Sequence, residues 1–343
     1  MTFFRLVVAL TFVALAAPAA AQASGRDVAC GATLTSDTKL RADLTNCPGD
    51  GLVIGKDGIT LDLGRRAIDG TGTEGSTGIR LNGRRNVKIK NGTVQEFAVG
   101  VGLDASDSNA LSDLTVRGNG GRGVNALNGS DRNVFSDVDS TGNLTGIAIT
   151  ASSGNIVRGS ALTDNEFTGA LLFGASHTRV ERNRIAGNIA NGIAIVEGSA
   201  ENAILGNAVQ GSDTGLIVDS SARNLLSLNK VSGAGDGVLV AGDANTVAGN
   251  LVERSVGGCE GCSGFGIGIL AGAKNIVSLN IAQRNATDGI NVAAAGTVIS
   301  LNLAVRNGDL GIEAVQGVRD LGGNRASGNG NSAQCVGVVC RGH

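Results

Sequence analysis

Short apolar stretches recur along the chain at a nearly constant interval, and each begins with a glycine. The glycine is followed by apolar residues at alternate positions, as in Gly192-Ile193-Ala194-Ile195. Successive glycines are separated by 22 or 23 residues, apart from one interval of 29 residues. They are Gly78, Gly100, Gly123, Gly146, Gly169, Gly192, Gly215, Gly237, Gly266, Gly289 and Gly311. A fixed period of this length indicates an architecture in which one small structural unit is repeated.

Each repeat contains three short stretches with strand character, separated by Gly and Asn. The second and third stretches follow an Asn, as in Asn224-Leu225-Leu226 and Asn229-Lys230-Val231. Strands this short do not form a stable sheet alone, but stacked repeats give each strand two parallel neighbours about 4.8 Å away. The pattern therefore predicts an all-β parallel solenoid of about eleven coils of 22–23 residues.

Asparagine recurs in register at three turns of the repeat. An Asn tolerates the left-handed conformation of a tight turn, and its amide can bond the same amide one coil further on. We therefore expect three ladders of stacked Asn side chains. Asp113 and Asp137 fall at ladder positions of adjacent coils, and His177 replaces an Asn in another coil. The ladder rows are Asn109, Asn133, Asn155, Asn202, Asn224, Asn245 and Asn275; Asn183, Asn207, Asn229, Asn250, Asn280 and Asn302; and Asn119, Asn143, Asn165, Asn188, Asn285 and Asn307.

Residues 50–330 resemble the pectate-lyase-like superfamily of right-handed parallel β-helix proteins. The opening, with Cys30-Gly31-Ala32-Thr33-Leu34, Ile59-Thr60-Leu61-Asp62-Leu63 and Val87-Lys88-Ile89-Lys90-Asn91-Gly92, is similar to that of NosD-type proteins. The resemblance implies a right-handed parallel β-helix. It says less about activity, because this superfamily includes polysaccharide lyases, hydrolases, epimerases and adhesins.

The chain begins with a segment typical of a secretory signal peptide, predicted at residues 1–23. Arg5 precedes an apolar stretch at residues 6–17, and small residues that suit cleavage follow. The alternative is a membrane anchor, but twelve apolar residues are short for a span of about 20. We predict a secreted protein, periplasmic or extracellular, with an N-terminal cap at 24–50, the β-helix at 51–323 and a C-terminal cap at 324–343.

The six cysteines form three pairs that are local in sequence: Cys30 with Cys47, Cys259 with Cys262, and Cys335 with Cys340. In an oxidising compartment they favour disulfides, and proximity suggests this pairing. The first and last would pin the caps. Cys259 and Cys262 lie in the six-residue excess of the 29-residue interval, where we expect a disulfide-tied loop. Zinc is the alternative for this pair, but no second ligand pair is near in sequence, so no metal is predicted.

The amino-acid composition limits the classes of partner that the protein is expected to bind. The chain has 55 Gly, 2 Pro and no Trp or Tyr, so the core must be a narrow one of Val, Ile, Leu and Ala. Removal of Arg5 with the signal peptide leaves 27 basic and 30 acidic residues, a net charge of −3, which argues against a nucleic-acid partner. The lack of Trp and Tyr also counts against sugar stacking, although a polysaccharide partner stays open. No later segment is long and apolar enough to span a membrane.

Few residues suggest catalysis. A polysaccharide lyase or hydrolase needs carboxylates and a basic residue on one face. The weak candidates are Asp113, Asp137, Asp139, Arg117 and Arg158. The two histidines, His177 and His343, have no evident partner, and Met1 is lost with the signal peptide, so we find no copper ligands and predict no cofactor.

Alternation in the first strand places one set of apolar residues on the outside of the solenoid. They lie two or four residues after the repeat glycine, while the flanking coils are polar there. The set is Leu171, Phe173, Val196, Ile217, Leu239 and Leu270. Such a patch, on the order of 25 Å long at strand spacing, favours a surface for a second copy or for another protein, unless the C-terminal segment or the inserted loop covers it.

Three functions are therefore open. The first is a secreted binding or structural protein that acts through this apolar first-strand face, in a homo-oligomer or with another protein. The alternative is a polysaccharide-active enzyme, which an outward cluster of Asp and Arg would favour. The third is a calcium-dependent surface-layer or adhesin module, although the acidic residues are not regularly stacked.

Overall fold

The computed structural model describes residues 28–341, so the predicted signal peptide and His343 lie outside the described residues. The described chain is a solenoid whose first strands form one parallel sheet of 14 strands, one for each coil. We number the coils 1 to 14 by these strands and call this the first sheet. The strands are Ala32–Leu34, Leu52–Ile54, Thr77–Asn82, Val99–Asp104, Arg122–Leu127, Thr145–Thr150, Thr168–Phe173, Asn191–Val196, Thr214–Asp219, Asp236–Ala241, Ile267–Ala271, Ile290–Val292, Ile312–Ala314 and Cys335–Val336.

The second and third strands of each coil stack in the same way and form the rest of the wall. The second strands are Thr38–Lys39, Thr60–Asp62, Ile156–Arg158, Arg179–Glu181, Ala203–Leu205, Leu225–Ser227, Thr246–Ala248, Ile276–Ser278, Val298–Ser300 and Arg319–Asp320. The third strands are Leu44–Cys47, Ala67–Gly70, Ala161–Thr163, Arg184–Ala186, Ala208–Gln210, Lys230–Ser232, Leu251–Glu253, Ile281–Gln283, Leu303–Val305, Asn324–Ser327 and Cys340–Arg341. In coils 3 to 5 one longer strand spans both places: Lys88–Gln95, Ala110–Arg117 and Val134–Thr141.

The count of about eleven coils is too low, because three coils depart from the regular glycine interval. Coils 1 and 2 begin at Gly31 and Gly51, which lie 20 and 27 residues before the next glycine of the series. The strand of coil 14 begins after Gln334 instead of a glycine. These three strands pair in parallel with their neighbours like all others in the first sheet. The strands of these coils remain in register, but their turns differ in length, so the repeat is not evident from the sequence spacing.

The core is the stack of inward aliphatic side chains, but the expectation of an entirely aliphatic core is wrong at Phe97 and Phe135, which are fully buried. The nine residues that alternation places inward in the middle coils are at most 1% exposed, which confirms that part of the register. They are Leu172, Ile193, Ile195, Leu216, Val218, Val238, Val240, Ile267 and Ile269. The repeat glycine is needed because its missing side chain would point into this stack. A Cβ on Gly215 would lie 2.6 Å from the Gly237 carbonyl oxygen and would collide with Val231.

The three predicted Asn ladders are confirmed. In each row a side-chain amide donates to the amide oxygen one coil further on, for example Asn207 Nδ2 to Asn229 Oδ1 at 3.0 Å. The same Oδ1 accepts the backbone N–H of Asn207 at 2.9 Å. The other two rows repeat this arrangement at Asn133 with Asn155 and at Asn285 with Asn307. Buried amides are thereby satisfied along the length of the solenoid.

Three ladder assignments are wrong by one residue. Asp113, Asp137 and His177 are exposed residues with positive φ (52°, 54° and 50°), and the residue after each of them occupies the row. Thr178, for example, is fully buried and its N–H donates to Asn202 Oδ1 at 2.9 Å. The position before the row needs the left-handed conformation, which Asp and His adopt more readily than most residues. The sequence pattern therefore indicated the polar residue directly before the ladder position instead of the ladder residue itself.

The three predicted disulfide pairs are present. Cys30–Cys47 fastens coil 1, Cys335–Cys340 fastens coil 14, and Cys259–Cys262 lies in the inserted loop between coils 10 and 11. No helix within residues 28–341 is long and apolar enough to cross a membrane.

Candidate functional site

The outer side of the first sheet brings the predicted apolar residues side by side. The register pairs Leu171 with Ala194, Ala194 with Ile217, and Ile217 with Leu239. A second row pairs Phe173 with Val196. Phe173 is 44% exposed and the other large side chains of these rows are half-buried. We call the outward apolar side chains of coils 6 to 11 the apolar face; Thr150 and the exposed Asp219 lie among them in the second row.

Coil 11 joins the apolar face through an irregular strand. Val240 pairs with Ile269 but Ala241 pairs with Ala271, so Leu270 is an extra residue in a β-bulge and is 43% exposed. A Cβ on Gly268 would contact the side chains of Leu239, Phe265 and Leu270. Those three side chains therefore meet above this glycine. Phe265, at the end of the inserted loop, adds to the apolar face, and alternation alone did not identify it.

Within the described residues, neither the C-terminal segment nor the inserted loop covers the apolar face. The C-terminal segment continues the stack, since Cys335–Val336 pairs with the first-sheet strand of coil 13 and Cys340–Arg341 pairs with Asn324–Ser327. The inserted loop is fixed at the corner of coils 10 and 11, where Asp236 accepts backbone N–H groups from Ser263 and Phe265. The aromatic ring of Phe173 thus faces solvent.

Apolar side chains at the corner before the first sheet widen this surface. Leu144, Phe167 and Ile189 are 44%, 50% and 63% exposed, and they follow one another in coils 6, 7 and 8. Backbone hydrogen bonds connect them, with Phe167 N donating to Leu144 O. Sequence reasoning missed this corner. Its signal was an apolar residue one or two positions after the third-ladder Asn in only these coils.

The two ends of the first sheet are polar on the same outer side. In coil 3, Arg80 donates to both carboxylate oxygens of Asp50, at 2.6 and 2.8 Å. In coil 5, Arg122 is exposed, and its guanidinium has no side-chain partner within residues 28–341. Guanidinium groups thus mark the N-terminal end of the apolar face.

Carboxylates mark the opposite end. In coils 12 and 13, Asn291 Nδ2 donates to Asp288 Oδ2 at 3.0 Å and to Glu313 Oε2 at 2.9 Å. Partial burial, together with Asp288 and the nearby Asp309, raises the pKa of Glu313. This acidic group has no cation among the contacts of the described residues.

The structure places the five catalytic candidates on one wall of the solenoid, in coils 4 to 6. Asp113, Asp137 and Asp139 are exposed on the second- and third-strand side of the solenoid, away from the apolar face. Arg117 donates to Gln95 Oε1 at 2.9 Å, and Arg158 stands at the far end of a second strand. Asp113 and Asp137 occupy the same position in adjacent coils, and Arg158 pairs with Ser136 directly before Asp137. No hydrogen bond or ion pair joins the five candidates to one another within the part of the chain that the structure describes.

The remaining candidate within the described residues, His177, is an exposed surface residue. His177 Nε2 lies 2.8 Å from Glu201, to which Arg223 also donates, and Arg223 keeps the pKa of Glu201 low. A shallow depression of about 450 Å³ beside them is lined largely by small residues such as Gly198 and Ala241. No nucleophile paired with a base lines it.

The inserted loop contains an unexpected group of potential ligands. The two sulfurs of Cys259 and Cys262 and a carboxylate oxygen of Asp213 all lie within 4.8 Å of one another. Asp213 belongs to the corner of coil 9, so its proximity comes from the stacking of coils and not from sequence spacing. Both Sγ atoms rest on Gly235, where a Cβ would collide with them.

Comparison with known proteins agrees with this architecture. Residues 77–231 match a family described as right handed beta helix region, and residues 189–332 match one described as periplasmic copper-binding protein (NosD). Among curated proteins, none matches significantly.

Solved structures share the fold at low identity. The A-module of the mannuronan C-5 epimerase AlgE6 from Azotobacter vinelandii is 13% identical over 91% of each chain, with a TM-score of 0.56. The periplasmic alginate epimerase AlgG is 12% identical over 83% of this chain and 76% of its own, with a TM-score of 0.56. The Dettilon tailspike protein is 15% identical over 89% of this chain and 60% of its own, with a TM-score of 0.55.

Proposed function

Because the chain is a right-handed parallel β-helix protein, we propose that it is a binding or structural protein whose apolar face is covered by a second protein surface. One observation carries the proposal: large apolar side chains lie side by side on the outer side of coils 7 to 11, with Phe173 and Leu270 exposed and the others half-buried. The exposed Asp219 of coil 9 is the one carboxylate among these outward residues. The inward residues already form the core, so folding does not require the outward ones. Uncovered patches of this extent usually mark an interaction surface.

A second copy of the chain is the partner that the charges favour. One end of the apolar face carries the unpaired guanidinium of Arg122, and the other carries Asp288 and Glu313. Two copies stacked in opposite directions would place each cation against the other copy's acidic group. A face that complements itself in this way suits a two-fold symmetric dimer.

The register gives the position of the axis. Arg122 and Asp288 occupy the same place, directly before the repeat glycine, in coils 5 and 12. A two-fold axis parallel to the strands, midway between coils 8 and 9, exchanges these two coils. The same axis bisects the apolar face of coils 6 to 11. Apolar residues would then pack against apolar residues, with an ion pair at each end.

The proposed location is outside the cytoplasm, in the periplasm or the medium. Three disulfides support it, because such bonds persist in oxidising compartments. The matching NosD description and the similar epimerase AlgG are also periplasmic by name.

The test is the double substitution Phe173→Asp and Ile217→Asp, followed by sedimentation velocity and circular dichroism. We expect a folded monomer, because a buried carboxylate is incompatible with an apolar interface whereas both side chains face water in the single chain. The matched control is Leu225→Asp with Ile281→Asp, two exposed apolar residues on the other strands, which should leave the dimer intact. A wild-type chain that is monomeric at all concentrations would contradict the proposal.

The alternative function is a polysaccharide-active enzyme. It rests on the fold shared with a mannuronan C-5 epimerase and an alginate epimerase, and on the stacking of Asp113, Asp137 and Arg158 in adjacent coils. Incubation with a uronate polysaccharide, followed by NMR of the product, separates the two functions. A changed polymer that depends on Asp137 and Asp139 would favour the enzyme, whereas an unchanged polymer together with a dimer would favour the binding protein.

A further inference from the structure

A row of leucines follows the corner between the second and third strands in the C-terminal part of the solenoid. Leu228, Leu279 and Leu301 lie directly before the ladder residues of coils 9, 11 and 12, and they are 71%, 59% and 56% exposed. In coil 10 the same place belongs to Gly249, where a Cβ would lie 3.1 Å from Leu228 Cδ2. The leucine side chain therefore leans over this glycine. We call the three leucines the leucine ridge.

The backbone at the leucine ridge does not favour leucine. The φ angles of the three residues are 57°, 58° and 56°, in the left-handed region, where a bulky side chain is unfavourable and Gly, Asn and Asp are common. Other coils have such residues at this place, among them Asp137 and Gly206. The leucine side chains contribute neither to the core nor to the ladder, because they face outward. Folding therefore does not explain three leucines at these positions.

Apolar residues on the adjoining strands widen the leucine ridge. At the start of the third strands, Leu251, Ile281 and Leu303 pair in register in coils 10 to 12. At the start of the second strands, Ile276 pairs with Val298. The two isoleucines are exposed and the other three residues are half-buried. The apolar surface at this corner is thus three rows wide.

A row of arginines borders this surface at the far end of the third strands. Arg254, Arg284 and Arg306 are exposed in coils 10 to 12, and none of them forms an ion pair within residues 28–341. The backbone N–H of the first donates to the residue before the second, and that of the second to the residue before the third, both at 3.1 Å. The carboxylate beside them, Glu253, is buried and paired with Lys230 at 3.2 Å. Three like charges stacked at a strand spacing of about 4.8 Å repel one another, so the row favours an anionic partner.

Apolar and cationic side chains also meet at the C-terminal end of the leucine ridge. A depression of about 310 Å³ there is lined by Leu279, Leu301 and Leu303 together with Arg325 and Arg341. A partner that contacts this corner must therefore offer apolar groups and negative charge side by side. Lipids with an acyl chain and an anionic head group have both.

We propose that the leucine ridge docks the protein on the surface of an anionic lipid bilayer. The leucines enter the boundary between head groups and acyl chains, and the arginine row contacts the phosphate groups. Surface-bound proteins combine apolar side chains with Lys and Arg in this way, and each basic residue near an anionic surface strengthens binding. A corner that projects from the solenoid suits a deformable lipid surface better than a rigid protein.

The leucine ridge is independent of the proposed dimer. It lies between the second and third strands and shares no residue with the apolar face, which belongs to the first sheet. The chain can therefore dock as a monomer or as a dimer. Loss of vesicle binding and loss of dimerisation are separate results.

The experiment is co-sedimentation of the full chain with lipid vesicles at low ionic strength. Vesicles of phosphatidylethanolamine with phosphatidylglycerol are compared with vesicles of phosphatidylcholine alone. We expect binding to the anionic vesicles to be at least about tenfold stronger. Added salt should weaken it, because salt screens the attraction between the arginines and the lipid phosphates.

Replacement of all three leucines by asparagine separates docking from folding. We expect the triple variant, Leu228→Asn with Leu279→Asn and Leu301→Asn, to bind the anionic vesicles at least about 30-fold more weakly. Its stability in a urea titration should equal or exceed that of the wild type, because Asn tolerates the left-handed conformation. The matched control is Val256→Asn with Val315→Asn, two exposed apolar residues outside the leucine ridge, which should change binding by less than about twofold.

A second triple variant tests the arginine row. Arg254→Gln with Arg284→Gln and Arg306→Gln should weaken binding to the anionic vesicles about 100-fold at low ionic strength. The matched control replaces three exposed arginines of coils 1 and 2 by glutamine, which changes the net charge equally and should cost less than about threefold. They are Arg41, Arg65 and Arg66.

Three results would overturn the proposal. The first is a wild type that binds the anionic vesicles no better than the phosphatidylcholine vesicles. The second is binding that survives the leucine substitutions, and the third is an equal loss in the two arginine variants. A leucine variant that loses self-association, while the wild type ignores vesicles, would assign the leucine ridge to a second copy of the chain instead.

Discussion

The inner and outer sides of the first sheet follow different rules although they belong to the same strands. On the inner side the first-sheet strands of coils 1 to 13 present buried aliphatic residues, and the turns of most coils repeat the same amide ladders. On the outer side the residue two places after the glycine changes from Arg80 to Leu171 and then to Glu313. Stacking requires similar residue types in successive coils only where the side chains pack against those of the neighbouring coils. The variation outside is therefore free to serve a function.

The largest effect should come from breaking the inner side. Asn229→Leu removes an oxygen that accepts two hydrogen bonds from Asn207 and an amide that donates to Ile204 O and Asn250 Oδ1. Because buried groups in two coils lose their partners, we expect a loss of about 3 kcal/mol in the free energy of unfolding. Urea titration followed by circular dichroism measures it.

The neighbouring residue supplies the control for that experiment. Lys230 is exposed, with its ammonium 3.2 Å from Glu253, and Lys230→Ala should change the free energy of unfolding by less than about 0.5 kcal/mol. Equal losses for the two substitutions would show that the ladder is no more important than the surface.

The inner side was predictable from sequence because its residues repeat. Glycine spacing, alternation and recurring Asn were enough to place Val238 and Asn229 correctly. Prediction failed by one residue at Asp137 and His177, since the left-handed position beside the row also accepts polar side chains. It failed at the ends, where the spacing before Gly51 and Gly78 is irregular.

The outer side was only partly predictable. Alternation identified Phe173 and Ile217, but nothing in a single repeat indicates that Leu144 and Phe167 form an exposed apolar corner before the first sheet. The approach of Asp213 to Cys259 depends on which corners stack, and the inserted loop interrupts the period there. Contacts between coils at irregular loops can be identified only from the three-dimensional structure, because the repeat pattern does not extend through the loops.

A smaller effect, on the pH dependence of stability, is expected at the acidic end of the outer side. Burial first, and then Asp288 and Asp309, raise the pKa of Glu313 above its usual 4.5, so the folded chain holds a proton that the unfolded chain releases. Its charged form therefore costs stability as the pH rises from about 4.5 through the raised value. Below that window the cost is absent.

Glu313→Gln should remove this dependence. Measured on dilute, monomeric chain, the variant should match the wild type near pH 4 and exceed it near pH 7 by less than about 0.5 kcal/mol, because the side chain is largely exposed. Asp309→Asn is a useful companion and should act in the same direction with a smaller change. A variant that is less stable than the wild type at pH 7 would contradict the raised pKa.

The measurement that tests the central claim most directly is a charge exchange across the apolar face, read by sedimentation equilibrium. Arg122→Glu and Asp288→Lys should each raise the dimer dissociation constant about tenfold, because the axis between coils 8 and 9 sets these two positions of opposite copies against one another, and each substitution places like charges there. The double variant should return to within about threefold of the wild type, since the charges are again complementary. A double variant whose loss equals the sum of the two single losses, or a wild type that never dimerises, would contradict the account.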